Sequence, residues 1–440
     1  MRKIAACYWP RAAPFFLAIL LILGTVSGGA AQAAGAPPLP GVCSESDRFG
    51  LWDTAAAIHR FDVAQLNVGW WIHTRVHKYE DRPWPEELAA TQLVRISGDG
   101  PYEDAACGAC PSWDRVRMIA ERNPGSVWFI GNEPDRQDYV TAGRYAELYH
   151  DFYAFLKAKD PASQVAIGGV VQPTPIRLQY LDMILEAYAA RYGSSMPVDV
   201  WNVHNYVLRE GATGWGGGIP AGTDEALAIE YGIQDHDNLD YWRAHLVAMR
   251  QWMRDRGYRD RPLIITEYGI LMPGIYGFDQ ERVRSFMLAT FDWLATATDS
   301  QTGYPADGNR LVQSWAWYSI YVDSLEGFST WNHLFDPGTR AITPLGRAFG
   351  QYTAPLTNPL PGTVDLQPVS VRLTQADVGG SGHITASVTA GIQNAGASPA
   401  GEVVVRFQRD GQPAGASTIP VVPAGGVGQA SVVWPDLEPG

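Results

Sequence analysis

From about residue 45 to 352, short apolar runs alternate with longer segments whose apolar residues recur every three or four positions. Eight runs read as strands, at 48–51, 65–73, 92–97, 126–133, 164–171, 198–206, 263–268 and 312–319. Several are unbroken apolar stretches, the pattern of parallel strands covered on both faces. Between them Tyr145, Leu148, Phe152, Phe155 and Leu156 keep a helical rhythm, as do Leu239, Trp242, Leu246, Met249 and Met253, and then Val283, Phe286, Thr290, Phe291 and Leu294. Stripes at that spacing are core packing, not a cofactor motif. Eight strands, each followed by a helix or long crossover, predict an α/β fold, a (β/α)8 TIM barrel over residues 44–352.

Past residue 352 the texture changes. Residues 353–363 form a Pro-rich stretch that reads as a linker. From 364 to 440 only short strand patterns remain, at 369–373, 384–392, 403–407, 418–422 and 430–434, with Asp410-Gly411 as a turn signal. These predict a small antiparallel β-sandwich of Ig-like type. At the other end, Arg2, Lys3 and Arg11 precede the apolar run Pro14 to Val26, and Ala31-Gln32-Ala33 supplies small residues for cleavage. Residues 1–33 therefore read as a secretory signal peptide, too short in its apolar run to span a bilayer. The expected location is secreted, extracellular or at the cell surface, with no membrane span once the signal is removed.

Cysteine usage fits export. Cys7 leaves with the leader, so Cys43, Cys107 and Cys110 remain. Oxidised pairs are favoured outside the cell. The Cys107-Gly108-Ala109-Cys110 spacing admits redox chemistry or half a zinc site, but no second such pair exists and a loop disulfide is the expectation. Their pairing stays open.

Barrel enzymes carry their reactive groups at the carboxyl ends of strands. The fourth strand ends in Asn132-Glu133-Pro134 and the seventh in Thr266-Glu267-Tyr268-Gly269. Two strand-terminal glutamates, three strands apart around a ring, are what acetal hydrolysis needs. One protonates the departing oxygen and the other attacks or stabilises the anomeric centre; a gap of about 5–5.5 Å implies a covalent intermediate and retention. The two duties require different proton affinities.

With these motifs the chain resembles the retaining glycoside hydrolases of clan A, the 4/7 superfamily. The resemblance follows the barrel in strand order and is tight at the two glutamate motifs. It implies that Glu133 is the acid/base, that Glu267 is the nucleophile, and that Asn132 binds the sugar 2-hydroxyl. It also implies that His204 or Tyr206, on one face of the sixth strand, hydrogen-bonds the nucleophile. Trp315 or Trp317 on the eighth strand would be a sugar platform, and Arg95 would hold the nucleophile ionised. Trp70, Trp71 and His73 end the second strand and are candidates to line the cleft, as is Tyr268 beside Glu267. Asp135 is either a subsite residue or a helix cap, and Trp215, in Gly214-Trp215-Gly216-Gly217-Gly218, is a candidate rim contact. The C-terminal segment resembles CARDB-like modules, with Asn394-Ala395-Gly396 at their characteristic turn; such modules run on for another strand or two, so either the sequence is a fragment or this sandwich lacks an edge, and the module is expected to act as a spacer, a cell-surface or polysaccharide contact, or an auxiliary sugar binder.

Composition narrows the classes. Hydrophobic residues make up 46% and charged residues 18% of 440, which excludes a disordered or coiled-coil chain. The formal charge of −13 is a poor match for nucleic acid or anionic membranes. There is no His-Glu-x-x-His, no His ligand cluster by spacing, and no Lys-Ser/Thr after the glycine run, so neither metal nor organic cofactor is expected. The expectation is an exported retaining glycosidase for a β-linked polysaccharide or oligosaccharide. A transglycosylase, or a non-catalytic carbohydrate-binding or cell-surface barrel, is the alternative.

Overall fold

The structure, a computed structural model, describes residues 24–25, 42, 44–54, 57–74, 76, 85, 88–96, 110–321, 331–360, 363–378, 384–409 and 412–437. The described residues fall into two compact units, one within Ser46–Thr357 and the other drawn from Met1–Glu45 and Asn358–Gly440.

The first unit holds eight parallel strands: β1 (Phe49–Asp53), β2 (Trp70–His73), β3 (in two pieces, Ala89–Ala90 and Gln92–Val94), β4 (Val127–Ile130), β5 (Gln164–Ile167), β6 (Trp201–His204), β7 (Leu263–Tyr268) and β8 (Ser314–Trp317). Each pairs with the next: β3 joins β2 through its first piece and β4 through its second, and bridges Ala166–Val200 and Val170–Val203 join β5 to the β6 edge. β8 pairs back onto β1, with Trp315 beside Phe49, and closes the ring. The helices are α1 (Trp113–Arg122), α2 (Ala142–Lys159), α3 (Pro175–Tyr192), α4 (Leu239–Asp255), α5 (Gln280–Thr296) and α6 (Pro344–Thr353). Short polar side chains start several of them. Ser112, Asn238, Asp279 and Thr343 each accept a backbone N–H from the first turn of α1, α4, α5 and α6.

Alternation sorts the strand residues onto two faces. Phe49, Leu51, Trp71, Trp128, Ile130, Val165, Trp201, Val203, Ile265, Trp315 and Trp317 belong to one apolar layer with the helix residues Tyr145, Leu246, Phe286 and Phe291. Their neighbours Trp52, Trp70, Asn202, His204, Thr266 and Ala316 fall outside that layer and fill the barrel interior. Trp70 lies over Gly50, where any Cβ would sit 2.3 Å from the indole, so the bulky ring fits only because Gly50 has none. Below, buried Arg48 makes two 2.8 Å bonds to Asp307, and buried Arg250 donates to Gln313 and to the Arg261 carbonyl. These pairs seal the pole away from the reactive mouth.

In the second unit β9 (Leu366–Val378), β10 (Ile384–Asn394) and β13 (Val427–Leu437) form one antiparallel sheet, and β11 (Ala400–Arg409) pairs with β12 (Gln412–Val422) in another. Val388, Ile392, Val403, Phe407, Val422 and Trp434 from both sheets share one core, as a β-sandwich requires. Asn394 is buried at the turn read from the sequence: its Oδ1 accepts from Gly396 N at 3.0 Å and its Nδ2 donates to Ser398 O at 2.8 Å. Gly24 and Thr25 lie antiparallel to Val404 and Val403. The rest of the segment read as a leader, Cys43, Cys107 and the Asp410-Gly411 turn signal lie outside the described residues; Cys110 is disulfide-bonded. The segment read as a linker begins with the end of α6 and a 3-10 turn at Ala354–Leu356. Among the described residues no helix is long and apolar enough to cross a membrane.

Candidate active site

The carboxyl ends of β4, β6 and β7 bring three buried side chains together. One ligand atom each from Glu133, His204 and Glu267 lies within 4.8 Å of the other two. Alternation along β6 explains two members of the site. Trp201 and Val203 face the helices, so Asn202 and His204 face inward, and Tyr206 comes two residues on. On β7 the register shifts between Trp315–Ile265 and Trp317–Tyr268. Such an irregularity adds a residue to one strand and re-aims the side chains beyond it. Thr266 bonds the interior Asn202 at 2.9 Å, and Glu267 still faces His204 across the ladder.

Glu133 comes three residues after β4 and holds its backbone at φ 47°, the left-handed region that non-glycine residues rarely adopt. Such a conformation costs on the order of 1–3 kcal/mol and persists only when its surroundings fix it. Several bonds do so. Glu133 N donates to Gly169 O at 3.0 Å, and its carbonyl accepts from Arg136 N at 2.8 Å and Asp138 N at 3.2 Å. The Asp138 carboxylate accepts Asn132 N at 2.7 Å and is itself held by Arg95, 2.6 Å away.

His204 Nδ1 lies 3.1 Å from Glu133 Oε1 and 3.7 Å from Glu267 Oε2. Tyr206 donates its hydroxyl to Glu267 Oε1 at 2.8 Å. Arg136 Nη1 approaches Glu133 Oε2 at 3.6 Å. These contacts set the charges. Burial pushes Glu133 up, but the His204 hydrogen bond and charge, with Arg136 and Arg177, outweigh it and hold the carboxyl below its ordinary value. Burial pushes Glu267 up to about 7; the Glu133 charge adds to this, and His204, Tyr206 and Arg136 offset part of it. Burial opposes protonation of His204, yet Glu267, Glu133 and Asp135 together raise it. These contacts give Glu267 the higher proton affinity of the two carboxyls, the reverse of the order expected for an acid at Glu133. The state with Glu133 protonated and Glu267 charged holds the same number of protons and differs only in which carboxylate carries one.

Several predicted residues stand elsewhere. Trp315 and Trp317 share a face, as read, but it is the outer one. Trp315 packs edge-on against Phe49 with ring centres 4.8 Å apart; Trp317 packs against Tyr268 at 5.4 Å and donates to Asn332 O at 2.8 Å. Tyr268 also faces the helices, 5.5 Å from Trp242 of α4. All three are buried in the layer between the strands and the helices. Trp71 belongs to the same layer and His73 shares its face by alternation, which leaves Trp70 and Ile72 inward. Arg95 pairs with Asp138, not with Glu267. Asp135 is neither cap nor exposed subsite, since it is fully buried and bonded to Arg177 at 2.6 Å. Asn132 is beside Glu133, its Nδ2 donating to Gln137 at 3.1 Å.

Two residues at the mouth went unread in the sequence. Trp52 of β1 lies edge-on to His204 with ring centres 6.0 Å apart, and Tyr318, directly after β8, lies 6.1 Å from Trp52. Both glutamates raise the Tyr318 hydroxyl pKa, although burial does so more, which puts the ring within electrostatic reach of the pair. The period of two from Ala316 would have marked Tyr318 as inward.

Asn132 Oδ1, Glu133 Oε2 and His204 Nε2 are buried without hydrogen-bond partners among the described residues. Buried polar atoms are normally satisfied, so the two on adjacent residues, Asn132 Oδ1 and Glu133 Oε2, mark a place for polar ligand atoms, whereas His204 Nε2 is turned toward the backbone at Gly169. Glu133, His204 and Glu267 also form a donor set of a kind that holds a divalent cation. The spacing of these residues in the chain gave no sign of it. Arg136, 3.6 Å from Glu133 Oε2, adds a positive charge beside this set.

No protein-family model and no curated protein matches the chain. Among solved structures the chain is similar to a GH128 endo-β-1,3-glucanase from Sorangium cellulosum (19% identity, 69% of this chain and 97% of that one, TM-score 0.43). Others are a glucosidase from Croceicoccus marinus (11%, 91% and 96%, 0.45) and an endo-β-1,4-mannanase from Thermotoga petrophila (9%, 86% and 98%, 0.38).

Proposed function

We propose that this protein is a retaining glycoside hydrolase acting on β-linked polysaccharide or oligosaccharide. The observation that carries the reading is the pair of buried carboxylates from β4 and β7, with His204 between them and all three ligand atoms within 4.8 Å. That closeness suits direct attack on the sugar more than the wider gap that seats a water in inverting enzymes, about 6.5–9.5 Å.

In this scheme Glu133 gives its proton to the glycosidic oxygen as the bond to the anomeric carbon breaks, and a Glu267 oxygen bonds that carbon. Positive charge growing on the sugar favours charge on Glu267, and the departing oxygen draws the proton from Glu133, so the transition state itself selects the active tautomer. Glu133, now ionised, takes a proton from water. The hydroxide equivalent attacks the anomeric carbon, and Glu267 leaves as a carboxylate, received by the Tyr206 hydroxyl. Asn132 Oδ1 accepts a sugar hydroxyl, and Tyr318 and Trp52 supply the aromatic surface first sought at Trp315 and Trp317. We further propose that residues 1–33 direct export and are removed, a reading that the oxidised Cys110 supports. Sequencing the mature N-terminus tests it.

The test of activity is hydrolysis of aryl β-glycosides and of β-glucan, mannan and xylan by the wild type, Glu267→Gln and Glu133→Ala. Turnover by the wild type, its loss in Glu267→Gln, and rescue of Glu133→Ala by azide with retained configuration are expected. Binding without turnover by the wild type would show a carbohydrate-binding protein. The donor set around His204 favours one second reading, a metal-dependent hydrolase. Activity lost in excess chelator and restored by a divalent ion would establish that reading instead.

A further inference from the structure

The rim beside Glu133 is built by the loop 209–218. Gly217 N donates to Arg209 O at 2.8 Å, Arg209 Nη1 donates to Thr213 O at 2.8 Å, and buried Arg177 donates to the carbonyls of Gly217 and, at 3.2 Å, Gly218. Gly216 has φ 118°, and a Cβ there would lie 2.1 Å from the Arg209 carbonyl oxygen, so only glycine closes the turn. The turn leaves Trp215 38% exposed at its tip. More than a third of this indole therefore stays open at the end of the turn.

One side chain joins this rim to the reacting carboxylate. Arg136 Nε donates to Gly216 O at 3.0 Å, while its Nη1 lies 3.6 Å from Glu133 Oε2. The Arg136 side chain is 44% exposed, so part of the guanidinium remains open to a ligand.

We propose that Trp215 and Arg136 together form a leaving-group subsite, with Arg136 also holding the Trp215 turn in register with Glu133. The inference rests on the activity proposed above. Glu133 must contact the scissile oxygen and Glu267 the anomeric carbon, so the sugar that departs with the oxygen lies on the Glu133 side, under Trp215. Its C–H face packs on the indole, and free guanidinium N–H groups meet its hydroxyls.

The experiment compares an oligosaccharide that the wild type cleaves with the nitrophenyl glycoside of the same glycone, which has no sugar in the leaving group. The readout is the ratio of their kcat/KM values. Trp215→Ala and Arg136→Met should each lower that ratio about tenfold or more, the scale of one lost pocket contact. Coupling predicts that the double variant loses little beyond the larger single loss. Arg136→Met should also move the alkaline limb of the pH profile upward, because Arg136 holds both Glu133 and Glu267 down; Trp215→Ala should not. The other titratable and charged groups that act on Glu133, among them His204, Glu267, Arg177, Asp135, Tyr206 and Tyr318, are unchanged in both variants. Both substrates falling in parallel, multiplicative losses in the double variant, or an unmoved limb in Arg136→Met would overturn the inference while leaving the hydrolase reading intact. A wild type that cleaves no glycoside would overturn both.

Discussion

Tyr206→Phe isolates one hydrogen bond to the group proposed as nucleophile. The hydroxyl lies 2.8 Å from Glu267 Oε1, and both side chains are buried, so no solvent replaces the lost donor. A hydrogen bond to a charged group contributes about 1.5–3 kcal/mol net. In the first half-reaction Glu267 sheds its charge as it bonds the sugar. Losing the donor there weakens ionisation but strengthens attack, and the two effects largely offset. In the second half-reaction Glu267 must leave as a carboxylate, and the donor is needed. A transition state about halfway to the free carboxylate would retain half of that energy, so deglycosylation should slow by about 4- to 12-fold. Rapid mixing with a dinitrophenyl β-glycoside reads this directly: Tyr206→Phe should release a burst of phenol near one equivalent and then turn over slowly. The alkaline limb should also move upward, since Tyr206 holds Glu267 down. No burst, kcat within twofold of wild type and an unmoved limb would refute the reasoning.

The same contacts set other expectations. Activity needs one proton on the carboxylate pair. It should therefore be full below, and fall as pH rises through, the value of about 7 to which Glu267 is pushed, as kcat/KM against pH would show. On the acid side activity should persist until Glu133 takes up a second proton, below the ordinary glutamate range. Arg177→Met strands Asp135 and Glu210 as buried carboxylates without their shared partner, and should cost about 3–5 kcal/mol in denaturant unfolding. Trp317→Ala should lower stability by about 3–5 kcal/mol through the cavity it leaves, and should leave KM unaltered at temperatures where the variant is folded. A raised KM with intact stability would return Trp317 to the sugar site.

All eight barrel strands and the five C-terminal ones were visible as apolar runs, because burial on one or both faces writes itself into the residue types. Which face points inward was not visible. A strand covered on both sides is apolar on both, so Trp315-Ala316-Trp317 can turn either the tryptophans or the alanine to the interior. The barrel takes the alanine, because the interior is narrow and already holds Trp52 and Trp70, while the wider layer under α5 receives the indoles. β6 was easier to read, since inward Asn202, His204 and Tyr206 alternate with outward Trp201 and Val203, and polarity there marks the face. Glu133 and Glu267 stood out because carboxylates ending apolar strands are rare without a purpose. Their proton affinities could not be read, because these depend on His204, Arg136 and Arg177 converging from separate loops and elements. The Arg95–Asp138 pair was unreadable for a related reason: it forms across a turn whose path is fixed by the left-handed backbone at Glu133.

Covalent trapping tests the proposed chemistry most directly. The wild type would be incubated with a panel of dinitrophenyl 2-deoxy-2-fluoro-β-glycosides, digested, and its peptides weighed. One inactivator should add a single fluorosugar mass to the peptide bearing Glu267, with reactivation on adding an acceptor. Turnover of the parent glycosides with no peptide ever labelled, or a label on Glu133, would contradict the assignment.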